Sequence, residues 1–352
     1  MIKVGINGMG RIGRALVRNN LANPVFDLVL INDINPDTAN IAYTLNHDTL
    51  YGRLPVHFQA DGEQLHGSDG SSIPVTHSED ISAVDWQGAG VELLIDASGV
   101  YHNVLNARHL ITENAVERVL ITHSPEPVDF TMVLGANEEL FDPERHRLVS
   151  SSICDATALA PVLRILEETY GIALGAVTTI HPWLSYQNLV DGPASSWSVP
   201  GTIYHHYAMG RTAIGNLIPK PTSALDATLK VLGHVGVTAE AFGSFSYRPP
   251  TALVGSADLT IMLKRNVSKA EVIERFEQAE REQSRRLIHN NWEPLVSLDF
   301  RESDYAAIVD HRWTDVIGGQ MLKLVLWYDN EYGYAAKVLD QIRLIVEKTG
   351  RS

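Results

Sequence analysis

The chain has 352 residues, which points to two domains, because single cores stop growing at roughly 250–300 residues. Hydrophobic residues make up 45% and charged residues 20%, an ordinary globular balance, and the formal net charge of −14 argues against nucleic acid or an anionic membrane as a partner. No apolar run reaches the ~18 residues of a membrane helix. The opening M-I-K-V-G-I-N-G reads as strand and turn with no room for a signal peptide, and the one cysteine leaves neither an internal disulfide nor a cysteine-based zinc site. A cytoplasmic, metal-free protein is expected.

In chain order, Ile2–Asn7 has strand character and Arg11–Asn20 helical spacing. Strands are predicted at Phe26–Asn32, Val91–Ala97, Arg118–Thr122 and Arg147–Ser151. Strand–helix alternation of this kind indicates a parallel sheet covered by helices. The pattern then changes. A helix is predicted over Ala156–Glu168, with Leu159, Val162, Leu163 and Leu166 on one face. Strands follow at Ala176–His181, Gly243–Tyr247, Ala257–Lys264, Val296–Phe300, Ala307–Asp310 and Met321–Tyr328, which suits an antiparallel sheet. Ser268–Leu287 reads as an amphipathic helix capped by Ser268, and Ala335–Lys348 as a closing helix. The segment Ala194–Gly210 is loop-like and rich in aromatics and histidine.

The expected class is α/β: an N-terminal domain over 1–153, joined by the closing helix 331–352, that the G-x-G-x-x-G at 8–13 marks as Rossmann-type and NAD-binding, and an α+β catalytic domain over 154–330 with a mixed or antiparallel sheet. Gly8, Gly10 and Gly13 form G-x-G-x-x-G between the first strand and the first helix. The first glycine permits the tight turn, the second lets the backbone approach a pyrophosphate, and the third allows close helix–strand packing. The helix start, Arg11 and Ile12 with Gly13, turns unpaired N–H groups and a positive dipole end toward the phosphates. Asp33 ends the second strand twenty positions past Gly13, where an acid meets ribose hydroxyls and would repel a 2′-phosphate, so NAD is favoured over NADP. Ser98 and Gly99 follow a later strand and suit the rim of the same crevice, as does Thr122 at the end of Arg118–Thr122.

Cys154 stands just before a predicted helix, where the dipole favours thiolate. A strand ends at His181, within reach of serving as ion-pair partner or base. The residues alone leave open the plainer alternative, an inert buried cysteine and an unrelated core or surface histidine.

The chain resembles the glyceraldehyde-3-phosphate dehydrogenase family from end to end. The likeness is carried by G-I-N-G-M-G-R-I-G-R at 5–14, I-N-D at 31–33, A-S-G-V-Y at 97–101, L-A-P at 159–161, T-T-I-H at 178–181, Q-N-L-V-D-G-P at 187–193, A-D-L-T at 257–260 and W-Y-D-N-E-Y-G-Y at 327–334. The resemblance implies that Cys154 is the nucleophile, His181 its base, Asn330 the holder of the nicotinamide carboxamide and Arg248 a substrate-binding residue. It implies attack of the thiolate on an aldehyde, hydride transfer to NAD, and a thioester resolved by phosphate or water, with phosphorylating oxidation the leading reading. It also implies a homotetramer.

The chain departs from the family around the substrate. The stretch at the nucleophile is S-S-I-C-D-A-T-A, so Ile153 and Asp155 replace hydroxyl residues, and Leu184 and Tyr186 replace a phosphate-binding threonine and an aspartate. K-P-T-S-A-L-D at 220–226 keeps only Thr222 of a phosphate-contacting pair, and the chain carries an insertion between Pro193 and Ile218. Arg211, Lys220, His205 and His206 are candidates to rebuild a phosphate site; the alternative is that they are solvated or lie at a subunit contact. Asp155 disfavours a neighbouring thiolate yet is itself favoured in a first helical turn, and the sequence does not say which effect wins. Two further readings stand beside the phosphorylating one: a dehydrogenase of another aldehyde, such as erythrose 4-phosphate or an unphosphorylated one, resolved by water, and an NAD-binding protein without catalysis.

Overall fold

The computed structural model describes residues 1–195 and 206–350. These divide into two compact units. The first comprises Met1–Met132, Leu140–Ser152 and Val338–Ser352; the second comprises Val133–Glu139 and Ile153–Lys337. The last helix, Tyr332–Thr349, therefore starts in one unit and ends in the other.

The first unit is built on a nine-stranded sheet in the order Phe130–Thr131, Leu148–Ser150, Arg118–Ile121, Leu93–Asp96, Ile2–Asn7, Phe26–Asn32, Ser72–Thr76, Gln64–Gly67, Phe58–Asp61. Its seven leading strands pair in parallel, and the last three form antiparallel pairs. Parallel strands buried on both faces read as apolar runs, as Leu93–Ile95 and Val119–Ile121 do within strands whose four residues are all buried, Asp96 and Arg118 included. Trp86, Leu94, Val104, Leu110 and Val119 lie in one apolar cluster of this unit.

The second unit centres on an eight-stranded sheet, ordered Ile218–Lys220, Phe242–Arg248, Ile172–Ile180, Gly255–Leu263, Met321–Tyr328, Ala307–Asp310, Ile288–Asn291, with Asp315–Ile317 pairing at one side of Met321–Tyr328. The sheet is mixed: Ile172–Ile180 runs parallel to Phe242–Arg248, and Ile288–Asn291 parallel to Ala307–Asp310. The helix Cys154–Tyr170 packs here with Leu159, Val162, Leu163 and Leu166 fully buried. Ala156, Ala158, Ala160 and Pro161 are buried too, so this helix is enclosed on nearly every side rather than along one stripe.

Several expected elements move. The helix expected from Ala156 begins at Cys154, placing the sulfur on its first residue. The helix expected over Ser268–Leu287 stops at Glu282, with Ser268 as its cap, accepting from the Glu271 N–H at 3.1 Å. Val296–Phe300 is not a strand. Ser297–Phe300 forms a short 3₁₀ turn, closed by the Asp299 carboxylate accepting from the Val296 N–H at 2.8 Å. Val296 and Leu298 stay exposed, with no sheet face to bury them. Most of the segment Ala194–Gly210, His205 included, lies outside the described residues.

Candidate active site

Within the second unit the chemistry gathers where the Cys154 helix begins. Ser152, the residue just before this unit resumes at Ile153, adopts φ 61°, a left-handed conformation unusual for a residue with a side chain. Ile153 takes the cap position without a side-chain hydrogen bond, so no cap group shields the helix start. The backbone N–H groups of Cys154 and Asp155 act on the Cys154 sulfur.

His181 lies one residue past the strand Ile172–Ile180, its backbone N–H donating to Tyr247 at 2.9 Å. Its Nε2 is 3.3 Å from Cys154 Sγ, and its Nδ1 is 2.8 Å from the carbonyl oxygen of Pro182. A carbonyl only accepts, so Nδ1 carries the proton of the neutral ring. Nε2 is then the lone-pair nitrogen, and it faces the thiol. Burial, with Arg248 next, pulls the imidazole down to about 4, so it is neutral at physiological pH.

The thiol itself is not an anion at rest. Burial pushes it well above its ordinary value, Asp155 adds to the effect, and Arg248 opposes it. This corrects the expectation of a helix-start thiolate: desolvation and an adjacent carboxylate outweigh the dipole. Cys154 still keeps part of its surface open, so a reagent can reach it. The resting pair is a thiol poised to donate to a neutral imidazole.

Asp155 is 7% exposed and accepts a hydrogen bond from the Tyr328 hydroxyl. Tyr328 reaches it across a glycine: a Cβ on Gly255, its partner on the neighbouring strand, would sit 2.4 Å from the Tyr328 ring. Burial and Asp155 both push the Tyr328 hydroxyl up, so it remains a donor. The ligand-type atoms of Cys154, Asp155 and His181 all lie within 4.8 Å of one another, so one cysteine does not by itself preclude a metal-like cluster. Arg248 acts electrostatically on both Cys154 and His181. A fixed cation opposes a second one there, and the thiol–imidazole hydrogen bond already gives the trio an acid–base use.

Arg248 is 6% exposed, donates from Nη1 to the His181 carbonyl at 3.4 Å, and has an Nε with no partner among the described residues. Asn330 is also buried, and its Oδ1 likewise lacks one. A buried acceptor left open costs about 1–3 kcal/mol and suits a ligand amide. Thr222 is half-buried and its hydroxyl accepts from the Ala224 N–H at 3.1 Å, so it supports the start of the helix Ala224–Leu232. Arg211 is not brought to this cluster: its guanidinium meets Asp191 at 2.7 Å, both side chains more than half exposed. Its side chain is exposed in the single chain, and His206 is exposed as well. Sequence reasoning missed the partnership of Tyr328 with Asp155, residues 173 apart, and the role of the Pro182 carbonyl; neither contact has a local signature.

In the first unit, the helix Arg11–Ala22 starts at Gly10 without a side-chain cap and with no acid in its first turn. Gly8 has φ +94°, and a Cβ on Gly13 would lie 2.0 Å from the Gly8 carbonyl oxygen, whereas nothing stands within 4 Å of a Cβ placed on Gly10. Only the middle glycine opens onto free space, as a backbone approached by a pyrophosphate requires. The Asp33 carboxylate accepts from the Met9 N–H at 2.5 Å and the Asn35 N–H at 2.8 Å, which holds it against the glycine turn. The Arg11 guanidinium is engaged by Asp48, and Ile12 follows it in the first turn. Ser98 donates to Asp96 at 2.7 Å and accepts from Asn103, Gly99 has φ 70°, and Thr122 Oγ1 donates to the Asp96 carbonyl at 3.1 Å. These residues fit a dinucleotide.

Residues 153–330 match the family described as glyceraldehyde 3-phosphate dehydrogenase, C-terminal domain, and residues 2–104 match glyceraldehyde 3-phosphate dehydrogenase, NAD binding domain. Glyceraldehyde-3-phosphate dehydrogenase 1 of Bacillus subtilis is 32% identical over 348 residues, covering 99% of each chain. The enzyme of that name from Thermotoga maritima is 32% identical over 349 residues, covering 99% of this chain and all of its own. The one from Geobacillus stearothermophilus is 32% identical over 348 residues. No helix among the described residues is long and apolar enough to cross a membrane.

Proposed function

The chain belongs to the glyceraldehyde-3-phosphate dehydrogenase family, and on that premise we propose that it oxidises glyceraldehyde 3-phosphate with NAD at Cys154, releasing the product to inorganic phosphate. The observation that carries this reading is the 3.3 Å contact between the thiol and an imidazole whose tautomer Pro182 fixes.

His181 Nε2 takes the thiol proton as the sulfur attacks the aldehyde carbon, which gives a thiohemiacetal on Cys154. The backbone N–H groups at the helix start stabilise the developing oxyanion. His181 hands that proton to the new oxygen, which completes the thiohemiacetal hydroxyl, and takes it back as hydride leaves the same carbon and the thioester carbonyl forms. NAD, when bound, supplies the hydride acceptor. The remaining thioester is open to phosphate. Gly8, Gly10, Arg11, Ile12, Gly13, Asp33, Ser98, Gly99 and Thr122 are assigned to the dinucleotide, Asn330 to the nicotinamide carboxamide, and Arg248 with Thr222 to the substrate. Arg211 is withdrawn from that set because Asp191 holds it.

The test is NADH formation from a panel of phosphorylated and plain aldehydes, with and without phosphate or arsenate. Phosphate-dependent turnover of glyceraldehyde 3-phosphate is expected. Turnover without phosphate would favour hydrolytic release, and no NADH from any aldehyde would sink the reading. A cytoplasmic homotetramer is proposed from the family alone; light scattering of the purified protein tests the assembly, and a monomer would refute it.

A further inference from the structure

Lys220 is a cation that the family pattern does not account for. It ends the strand Ile218–Lys220 and pairs with Ser246 on the neighbouring strand, two residues before Arg248. Residues directly opposite share a face of a sheet, and residues two apart along a strand share one too. Lys220, Ser246 and Arg248 therefore point the same way, and Ser246 continues the row through a 2.8 Å hydrogen bond to Thr179 Oγ1, two residues before His181. The burial agrees: Ser246 and Arg248 are buried and Lys220 half-buried, whereas Pro219 between the inward positions is exposed.

The charged and titratable groups this amine interacts with are Arg248 from the adjacent strand, Asp155 from the helix start and His181 past the central strand. Lys220 feels Arg248 and Asp155, and in turn acts on His181. Among the described residues no carboxylate lies within ion-pair distance of its amine, and the buried Nε of Arg248, on the same sheet face, also lacks a partner. With the thiol and imidazole neutral, two cations face one carboxylate. Two half-desolvated cations side by side repel each other unless an anion joins them.

We propose that Lys220 and Arg248 together seat the anionic group of the substrate, with Lys220 the residue that selects a phosphorylated aldehyde over an uncharged one. The proposal rests on the aldehyde-oxidising reading above. It also explains how this chain manages with Ile153 beside the nucleophile and Leu184 after the base, neither of which offers a hydrogen-bond donor. Burial and Arg248 bring the amine down to about 8, so its charge, and with it the hold on the anion, fades as pH rises through that value.

The experiment compares full-length Lys220→Met and Lys220→Arg with the parent, using glyceraldehyde 3-phosphate and plain glyceraldehyde as alternative substrates. Lys220→Met should raise KM for the phosphorylated aldehyde about thirtyfold or more, with kcat much less affected, and so reduce the preference for it by a similar factor. Lys220→Arg should restore most of that preference. For the parent, KM for the phosphorylated aldehyde should climb between pH 7 and 9, and Lys220→Met should lose this limb. Equal changes for both aldehydes, a kcat loss at constant KM, or no change would each overturn the proposal. Calorimetric titration with glycerol 3-phosphate reads the seat without turnover: binding should survive Cys154→Ser and fail in Lys220→Met, checked for folding by thermal melting. If no aldehyde is oxidised yet that pattern appears, the catalytic reading falls and the anion seat stands.

Discussion

Cys154 sits between opposing influences, and their balance is testable one side chain at a time. Asp155 and burial hold the proton on sulfur; Arg248 and the two helix-start N–H groups pull it off. Asp155→Asn keeps the volume and the Tyr328 contact but deletes the negative charge. The midpoint of the rate of iodoacetamide alkylation against pH should therefore move to lower pH, and an unmoved midpoint would leave burial as the sole cause. His181→Asn removes the base while sparing the dinucleotide residues. A kcat about 10²–10⁴-fold lower is expected from steady-state NADH formation, with NAD binding retained by calorimetry. Since the imidazole must be neutral to accept the thiol proton and titrates at about 4, the parent should keep this base competent down to that pH. The residue identities were readable from the motifs; the charge states were not, because desolvation depends on everything folded around the sulfur.

Elements obey local rules until the sheet overrides them. Ser268 caps its helix as the sequence indicates, and Ser268→Ala should cost about 1 kcal/mol in urea unfolding, leaving turnover intact. Met321–Tyr328 matched its pattern because alternate residues Leu322, Leu324 and Leu326 face the core and the intervening ones do not. Val296–Phe300 misled for a reason of position: two of its apolar residues look like a strand face, but among the described residues no strand pairs with them. The helices Thr38–Asn46 and Tyr101–Thr112 left a weaker trace, and the hairpin strands Phe58–Asp61 and Gln64–Gly67 are too short to carry a period. The parallel pairing of Ile172–Ile180 with Phe242–Arg248 had no sequence signature at all, since strand direction in a sheet is set by where connections run.

At the scale of the whole chain, acid should act through buried histidines. His123, His181 and His311 are each lowered by burial to about 4. The His123 ring nitrogens have no partner among the described residues, and His311 is held between Asn290 and Thr314. An unfolded histidine titrates near 6.5, so between that pH and about 4 the unfolded chain binds protons that the folded chain refuses. Stability should then fall as pH is lowered through this window. His146, lowered too, adds to this trend, while Asp96, whose carboxyl burial raises, works in the opposite direction. Melting temperatures measured from pH 7 to pH 4 should decline steadily, and a flat profile would contradict the neutral burial of these rings.

The glycine turn, the acid twenty residues beyond it, the lone cysteine, the strand-end histidine and the order of most elements were settled by the chain as written, because spacing along a backbone dictates local geometry. Tertiary structure alone decided that Tyr328 meets Asp155, that Pro182 orients His181, that Arg211 turns to Asp191, and that Lys220 joins Arg248 on one face. Each of these depends on sheet register and on exclusion of water, which no stretch of neighbouring residues encodes.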